Sequence, residues 1–260
     1  MALPDTPERT QKELMLQMTL AAPLVITKGH AAPEVERTYT RAQELCRQVG
    51  ETPQFFMALW GLWRFYVVRA EFQIAHELAE QLFAATKGIE DSVLLLQAHR
   101  VMGVTSFFIG EEASARAYLE RAISLYDPKK SYSPLYGDDP GVVCLSYESW
   151  VLWLLGYADQ ALMRIEEAIC LARKLSQPFS LAYALDFAAV LHHFRREEEL
   201  TKEGAEAVIS LSTEQGFALY LAHGIILRGW ALAEQGRRDE GITEMHRGLA
   251  IWRATGAEVG

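Results

Sequence analysis

The 260-residue chain contains no asparagine, three cysteines, and no run of lysine or arginine longer than two residues. Each shortage excludes something. Without asparagine there is no N-glycosylation acceptor. Cys46, Cys144 and Cys170 are odd in number and far apart. That gives neither a disulfide framework nor the spacing of a zinc site, and it fits small apolar core residues. Both observations predict a cytoplasmic protein. The net charge is −9. Affinity for phosphates needs clustered cations, so nucleic acid is excluded as a partner. The apolar stretch 14–27 is interrupted by Pro23 and is shorter than the roughly 20 residues that span a bilayer. Acidic, proline-containing sequence precedes it instead of a basic leader, so it predicts a buried amphipathic helix and no membrane contact.

Strands are missing from the pattern as well: no alternating segment is bounded by hairpin turns. The phosphate-loop motif, H-E-x-x-H and G-x-S-x-G do not occur. No catalytic group, metal site or cofactor is therefore expected. His192 and His193 are neighbours and point to different sides of a helix, which argues against a shared metal. Ser146 has no base near it in sequence. RREEE (195–199) reads as a turn followed by a solvated helix start, whose acids suit the dipole.

What is present is a repeat. Turn-like steps recur as RAEF, IGEE, LGYA, FRRE and QGRR, with markers at Ala70, Gly110, Gly156, Arg196 and Gly236. Their spacings are 40, 46, 40 and 40 residues. The long interval holds a polar insertion, KKSYSPLYGD (129–138). Apolar residues after each marker repeat at three, four and seven, as in Ala115, Leu119, Ala122 and Ile123, which places them on one helix face. Segments before the markers are apolar nearly all round, which suits helices packed on both sides.

Punctuation agrees. Pro33, Pro53, Pro140 and Pro178 open helical stretches, and Thr52 and Asp139 precede two of them as N-caps. Gly50, Gly88, Gly216 and Gly256 follow helical runs. Small residues stand five after the markers (Ala75, Ala115, Ala161, Gly241) and seven before them (Gly103, Ser149, Ala189, Gly229), where paired helices would cross closely.

These features predict an all-α, TPR-like α-solenoid of antiparallel helical hairpins with a period near 40 residues. The tetratricopeptide repeat has a period of about 34, so each hairpin here is longer. One domain is expected over 1–260. An atypical pair covers 8–49, and repeats cover about 53–88, 90–127, 140–175, 177–215 and 217–255.

Several segments carry a resemblance over essentially the whole chain: RTQKELMLQ, ITKGHAAPEVERTYTRAQELCRQVG, LWGLWRFYVVRAEF, LYDPKKSYSPLYGDDPGVVCLSYESWVLWLLGYADQAL, PFSLAYALDFAAVLHHFRRE and EQGFALYLAHGIILRGWALAEQG. The chain resembles the TPR-like C-terminal region of large bacterial signalling proteins. In that family it follows an NTPase module, often with class III adenylate cyclase or kinase domains further upstream. YGDDPGVVCLSY is the most specific part. The resemblance implies a non-enzymatic regulatory or interaction region and a fragment of a longer protein.

In TPR-like arrays the first helix of each hairpin lines a concave groove. Carrying those positions over picks out Trp60 and Arg64, then Gln97, Arg100 and Phe107, then Ser146, Trp150 and Trp153, then Tyr183, Asp186 and His193, and finally His223 and Trp230. Four of the six tryptophans fall among them, and aromatics dominate binding hot spots. The plainer alternative is that these tryptophans are core. Arg64 and Arg100 are costly to bury unpaired, so they are expected to meet Asp186, or a ligand carboxylate or phosphate. Tyr132 and Tyr136 in the insertion either fold over their hairpin or line a pocket mouth. The expected partner is a protein or peptide, including other domains of the parent. The alternative is a small metabolite gripped by the same groove. An uncovered solenoid end would also let two chains pair.

Overall fold

The computed structural model describes residues 6–49, 53–130 and 137–258. Those residues form twelve α-helices and no strand. In order they are α1 (Pro7–Lys28), α2 (Pro33–Val49), α3 (Pro53–Val68), α4 (Phe72–Ala84), α5 (Ser92–Phe108) and α6 (Glu112–Leu125). Then follow α7 (Pro140–Leu154), α8 (Ala158–Leu175), α9 (Pro178–Phe194), α10 (Glu198–Gln215), α11 (Ala218–Glu234) and α12 (Arg238–Ala254). Contacts divide them into a first unit, residues 1–89 with 256–260, and a second unit, residues 90–255.

The five marker residues are where the chain reverses. Ala70, Gly110, Gly156, Arg196 and Gly236 all have positive φ, between 54° and 88°. Each reversal is closed by the same pair of bonds. After α5, Gly110 N–H donates to the Phe107 carbonyl at 3.2 Å and Glu111 N–H to the Ser106 carbonyl at 2.8 Å. The second bond reaches back five residues, the Schellman arrangement that satisfies carbonyls at a helix end. The left-handed residue is free for glycine and costs Ala70 and Arg196 on the order of 1 kcal/mol each.

Helix starts follow the proline signals. Pro33, Pro53, Pro140 and Pro178 begin α2, α3, α7 and α9. The Asp139 carboxylate accepts from Val142 N–H at 3.0 Å, as an N-cap does. Thr52 and Gly50 lie outside the described residues.

In the second unit, α5/α6, α7/α8, α9/α10 and α11/α12 are antiparallel pairs. The first helices also meet one another, α5 with α7, α7 with α9, and α9 with α11. The second helices close the stack from outside through α6 with α7 and α8 with α9. Small residues set the approach. A Cβ on Gly241 would lie 2.4 Å from the Gly229 carbonyl oxygen, and one on Gly103 would lie 2.7 Å from Leu119 Cγ. Ala115, Ala122, Ala161, Ala168 and Ala205 are fully buried. Leu119 and Ile165 sit at the same seam, each worth about 1.5–3 kcal/mol of burial.

In the first unit, α1, α2, α3 and α4 pack in sequence order. Leu14, Ala42, Leu45, Cys46 and Ala58 form one core there. Trp63 is fully buried. The apolar run 14–27 predicts more burial for α1 than exists. Leu14 and Ala21 point inward, while Leu16 is 69% exposed. Pro23 sits inside α1. A cavity of about 340 Å³ between α1 and α2 is lined by Leu20, Leu24, Glu34 and Arg37 among others.

Candidate partner-binding groove

Four parallel helices, α5, α7, α9 and α11, form one layer of the second unit. Their inward residues separate into two depths. Gln97, Arg100 and Ser146 are fully buried, and Tyr183 and Asp186 are 3% exposed. Phe107, Trp150, Trp153, His193, His223 and Trp230 are half-buried and reach solvent. The helical period assigns a face and cannot assign a depth, so the sequence placed floor and lip together. The first helices pack directly on one another, and the floor residues have no surface left for a partner. In the first unit, Trp60 is 2% exposed, with its ring centroid 6.1 Å from that of Trp63. It is a core residue there. Arg64 is half-buried and close enough to His30 to oppose that ring's protonation.

The lip is a row of aromatic rings at the hairpin-turn end of the layer. Phe107 meets Trp150 at 5.9 Å between centroids, and Trp150 meets Phe194 at 5.9 Å. Phe194 adjoins His193 at 6.0 Å, and His193 stands edge-on to Trp230 at 4.2 Å. Each of these residues occupies the last two turns of its helix, so four successive helices contribute to one continuous rail. Trp150 is fixed from below. It stacks on Phe187 at 3.8 Å, and its Nε1 donates to the Phe187 carbonyl at 3.0 Å. Phe187 stacks in turn on Tyr183 at 4.6 Å. A rigid aromatic face loses little entropy on binding, which suits a recognition surface. Beside the rail, the Arg195 guanidinium lies 5.8 Å over the Trp153 ring and pairs with Glu197 at 2.8 Å.

Polar groups in the floor are mostly spoken for. Arg100 and Asp138 form a buried bidentate pair at 2.7 and 2.9 Å. This corrects the expectation that Arg100 meets Asp186 or a ligand anion. Its partner comes from the end of the insertion that precedes α7. Burial opposes the guanidinium charge, Asp138 outweighs it, and the pKa of Arg100 moves up. Next to it, Asp139 N–H donates to Ser180 Oγ at 3.0 Å, and Tyr126 Oη–H donates to the Asp139 carboxylate at 3.0 Å. Burial raises the pKa of Asp139. Together these contacts tie the C-terminal end of the insertion to the stack and clip it to Tyr126, just ahead of the insertion. Tyr132 and Tyr136 lie outside the described residues.

Asp186 is paired with His223. The imidazole Nδ1 lies 2.9 Å from the carboxylate. Burial opposes the imidazolium, Asp186 outweighs it, and the pKa of His223 rises. Burial, with Arg196 and His223 adding to it, lowers that of His193. The Ser146 hydroxyl donates to the Val142 carbonyl at 2.8 Å. Burial pushes the Cys144 thiol up to about 12, so neither group is an activated nucleophile. Among the described residues, no three His, Cys, Asp or Glu side chains converge as metal ligands, and no helix is long and apolar enough to cross a membrane.

Phe187, Phe194 and Trp252 belong to the site and were not foreseen. Phe194 hides in the sequence as part of a turn, and Trp252 as the buried stripe of a second helix.

Comparisons with known proteins place this fold. No family model matches the chain, and no curated protein matches it. Solved structures do. Apo RapI superposes with a TM-score of 0.72 at 15% identity, over 97% of this chain and 86% of that one. A Rap protein complexed with Competence and Sporulation Factor gives 0.64 at 12% identity, over 96% and 78%. Aspartyl phosphate phosphatase F from Bacillus subtilis gives 0.59 at 13% identity, over 98% and 66%. The chain has a TPR-like helical-repeat fold. At these identities the likeness concerns the fold.

Proposed function

We propose that this chain is a non-enzymatic interaction and regulatory region, and that its second unit holds a peptide or an extended partner segment along the aromatic rail. The observation that carries this reading is the unbroken row from Phe107 through Trp150, Phe194 and His193 to Trp230. A solvent-reached line of rings crossing four helices matches an extended chain better than a compact metabolite, which would need an enclosing cavity. The complex of a similarly folded Rap protein with Competence and Sporulation Factor supports a binding role. The sequence resemblance adds a parent protein: a bacterial signalling NTPase or cyclase, in which this region would receive a partner or another domain. Gene context tests that part.

The groove is tested by panning the full chain against displayed random heptapeptides. Binders rich in apolar and aromatic residues are expected. Trp150→Ala and Trp230→Ala, each checked for an unchanged helical spectrum, should weaken a recovered binder by roughly 30-fold or more, the size of a hot-spot truncation. Recovery of no peptide, together with a metabolite whose thermal stabilisation disappears in Trp150→Ala, would replace the peptide reading with a small-molecule sensor.

A further inference from the structure

About two turns before Trp230, the same layer carries a polar pair that the rail's own packing does not explain. Asp186, on α9, is 3% exposed, and His223, on α11, is its partner. The carboxylate takes up one ring nitrogen, Nδ1, at 2.9 Å. The other nitrogen, Nε2, has no hydrogen bond among the described residues, and the His223 side chain keeps 24% of its surface. A carboxylate that holds Nδ1–H fixes the tautomer and the plane of the ring, and so aims the far nitrogen. Here it is aimed beside aromatic surface: Trp252 stands 5.5 Å from the His223 ring, and His193, the rail's last link before Trp230, is near enough to affect its charge.

We propose that His223 Nε2 is the polar reading point of the groove and donates a hydrogen bond to a carboxylate on the bound peptide, with Asp186 as its positioning residue. This rests on the reading of the rail as a peptide site and adds the ligand chemistry. A carboxylate is the occupant that fits. The donor is single and directional, and a charged acceptor strengthens such a bond about twofold over a neutral one. On the same helix Arg228 is held by Glu244, which also takes Arg247 at 2.9 Å, so these two forked donors are not available to read a phosphate.

The pH dependence follows from the surroundings. From α9 the ring faces Asp186 and His193; from α12 it meets Trp252, whose helix keeps Glu244 occupied with Arg228 and Arg247. The face that α10 turns inward is Thr201, Ala205, Val208 and Ser212, without charge. Glu234, at the end of α11, acts on His193. His223 has a raised pKa and His193 a lowered one. Below the pKa of His223, both of its nitrogens carry protons and Nε2 donates. As pH rises through that pKa the donor is lost, while His193, with its lowered pKa, titrates at lower pH.

The test uses the full chain and a heptapeptide recovered from the display library. Its affinity is expected to fall by roughly 10- to 100-fold as pH is raised across the titration of His223, the size of one charge-assisted hydrogen bond. His223→Gln keeps a neutral donor and should bind with intermediate affinity and no such pH profile. Asp186→Asn should move the profile to lower pH, a change that mere loosening of the groove does not produce. C-terminal amidation of the peptide, and replacement of its Asp and Glu by Asn and Gln, are separate arms. Loss in one arm says which carboxylate is read. Unchanged affinity in both arms, or a pH profile that persists in His223→Gln, overturns the proposal and leaves the peptide groove standing. Failure of the chain to bind any peptide overturns both.

Discussion

Asp138→Asn is expected to lower the stability of the second unit by about 3–5 kcal/mol, the cost of stranding one member of a buried ion pair. Arg100 has no surface, and guanidinium does not shed its proton in a protein. Removing the Asp138 charge therefore leaves a cation in the floor between α5 and α7. The mirror change, Arg100→Met, should cost less. The orphaned carboxylate can protonate, which guanidinium cannot. The double variant Arg100→Met with Asp138→Leu should recover most of the loss, because a buried pair replaced by apolar groups of similar volume is often neutral. The readout is the denaturant midpoint at constant slope, followed by circular dichroism. If the costs of the two single variants add up to that of the double, the pair is not coupled and the insertion is not tied to the floor through it.

A second large effect is expected in acid, and it belongs to the first unit. Burial, with Arg64 adding to it, lowers the pKa of His30 from 6.5 to about 3. The unfolded chain takes up a proton near pH 6.5 that the folded chain refuses. Stability is therefore complete above about pH 6.5 and falls as pH drops toward about 3. At roughly 1.4 kcal/mol per pH unit, about 2 kcal/mol is gone by pH 5. His223 acts with the opposite sign in the second unit, since its folded pKa is raised and its contribution is present in acid and lost as pH rises. His30→Gln isolates the first effect. The difference in stability between native and variant chains should shrink steadily from pH 7 to pH 4, while amide exchange in α9 and α11 responds alike in both. A pH-independent difference would mean that His30 titrates normally.

The fold was legible because its punctuation is chemical. A helix end that closes with a bond five residues back needs a left-handed residue, so glycine and its substitutes recur at a constant phase. Ala70 and Arg196 kept that phase without glycine, which is why the interval, not the residue type, revealed them. Helix crossings need small residues, and Gly229 and Gly241 stand where backbones touch. The groove was legible as a face. Its depth was not, because Arg100 and Trp150 carry the same periodic signal while one is floor and the other lip. Asp138 was not legible as Arg100's partner either. That contact is made by a loop end 38 residues away, and no periodicity reports on loop ends. The exposure of Leu16 on α1 was hidden for a related reason: an apolar run shows what is available to bury, not whether a neighbour covers it.

We infer that a partner held along the rail meets the turn end of α5, α7, α9 and α11. A titration of the full chain with a library-selected peptide, following the six indole N–H resonances, tests this. Trp150 and Trp230 should shift together at one concentration midpoint, and Trp60 and Trp63, packed in the first unit's core, should stay in place. Shifts confined to Trp60 and Trp63, or saturable binding that moves no indole at all, would contradict it.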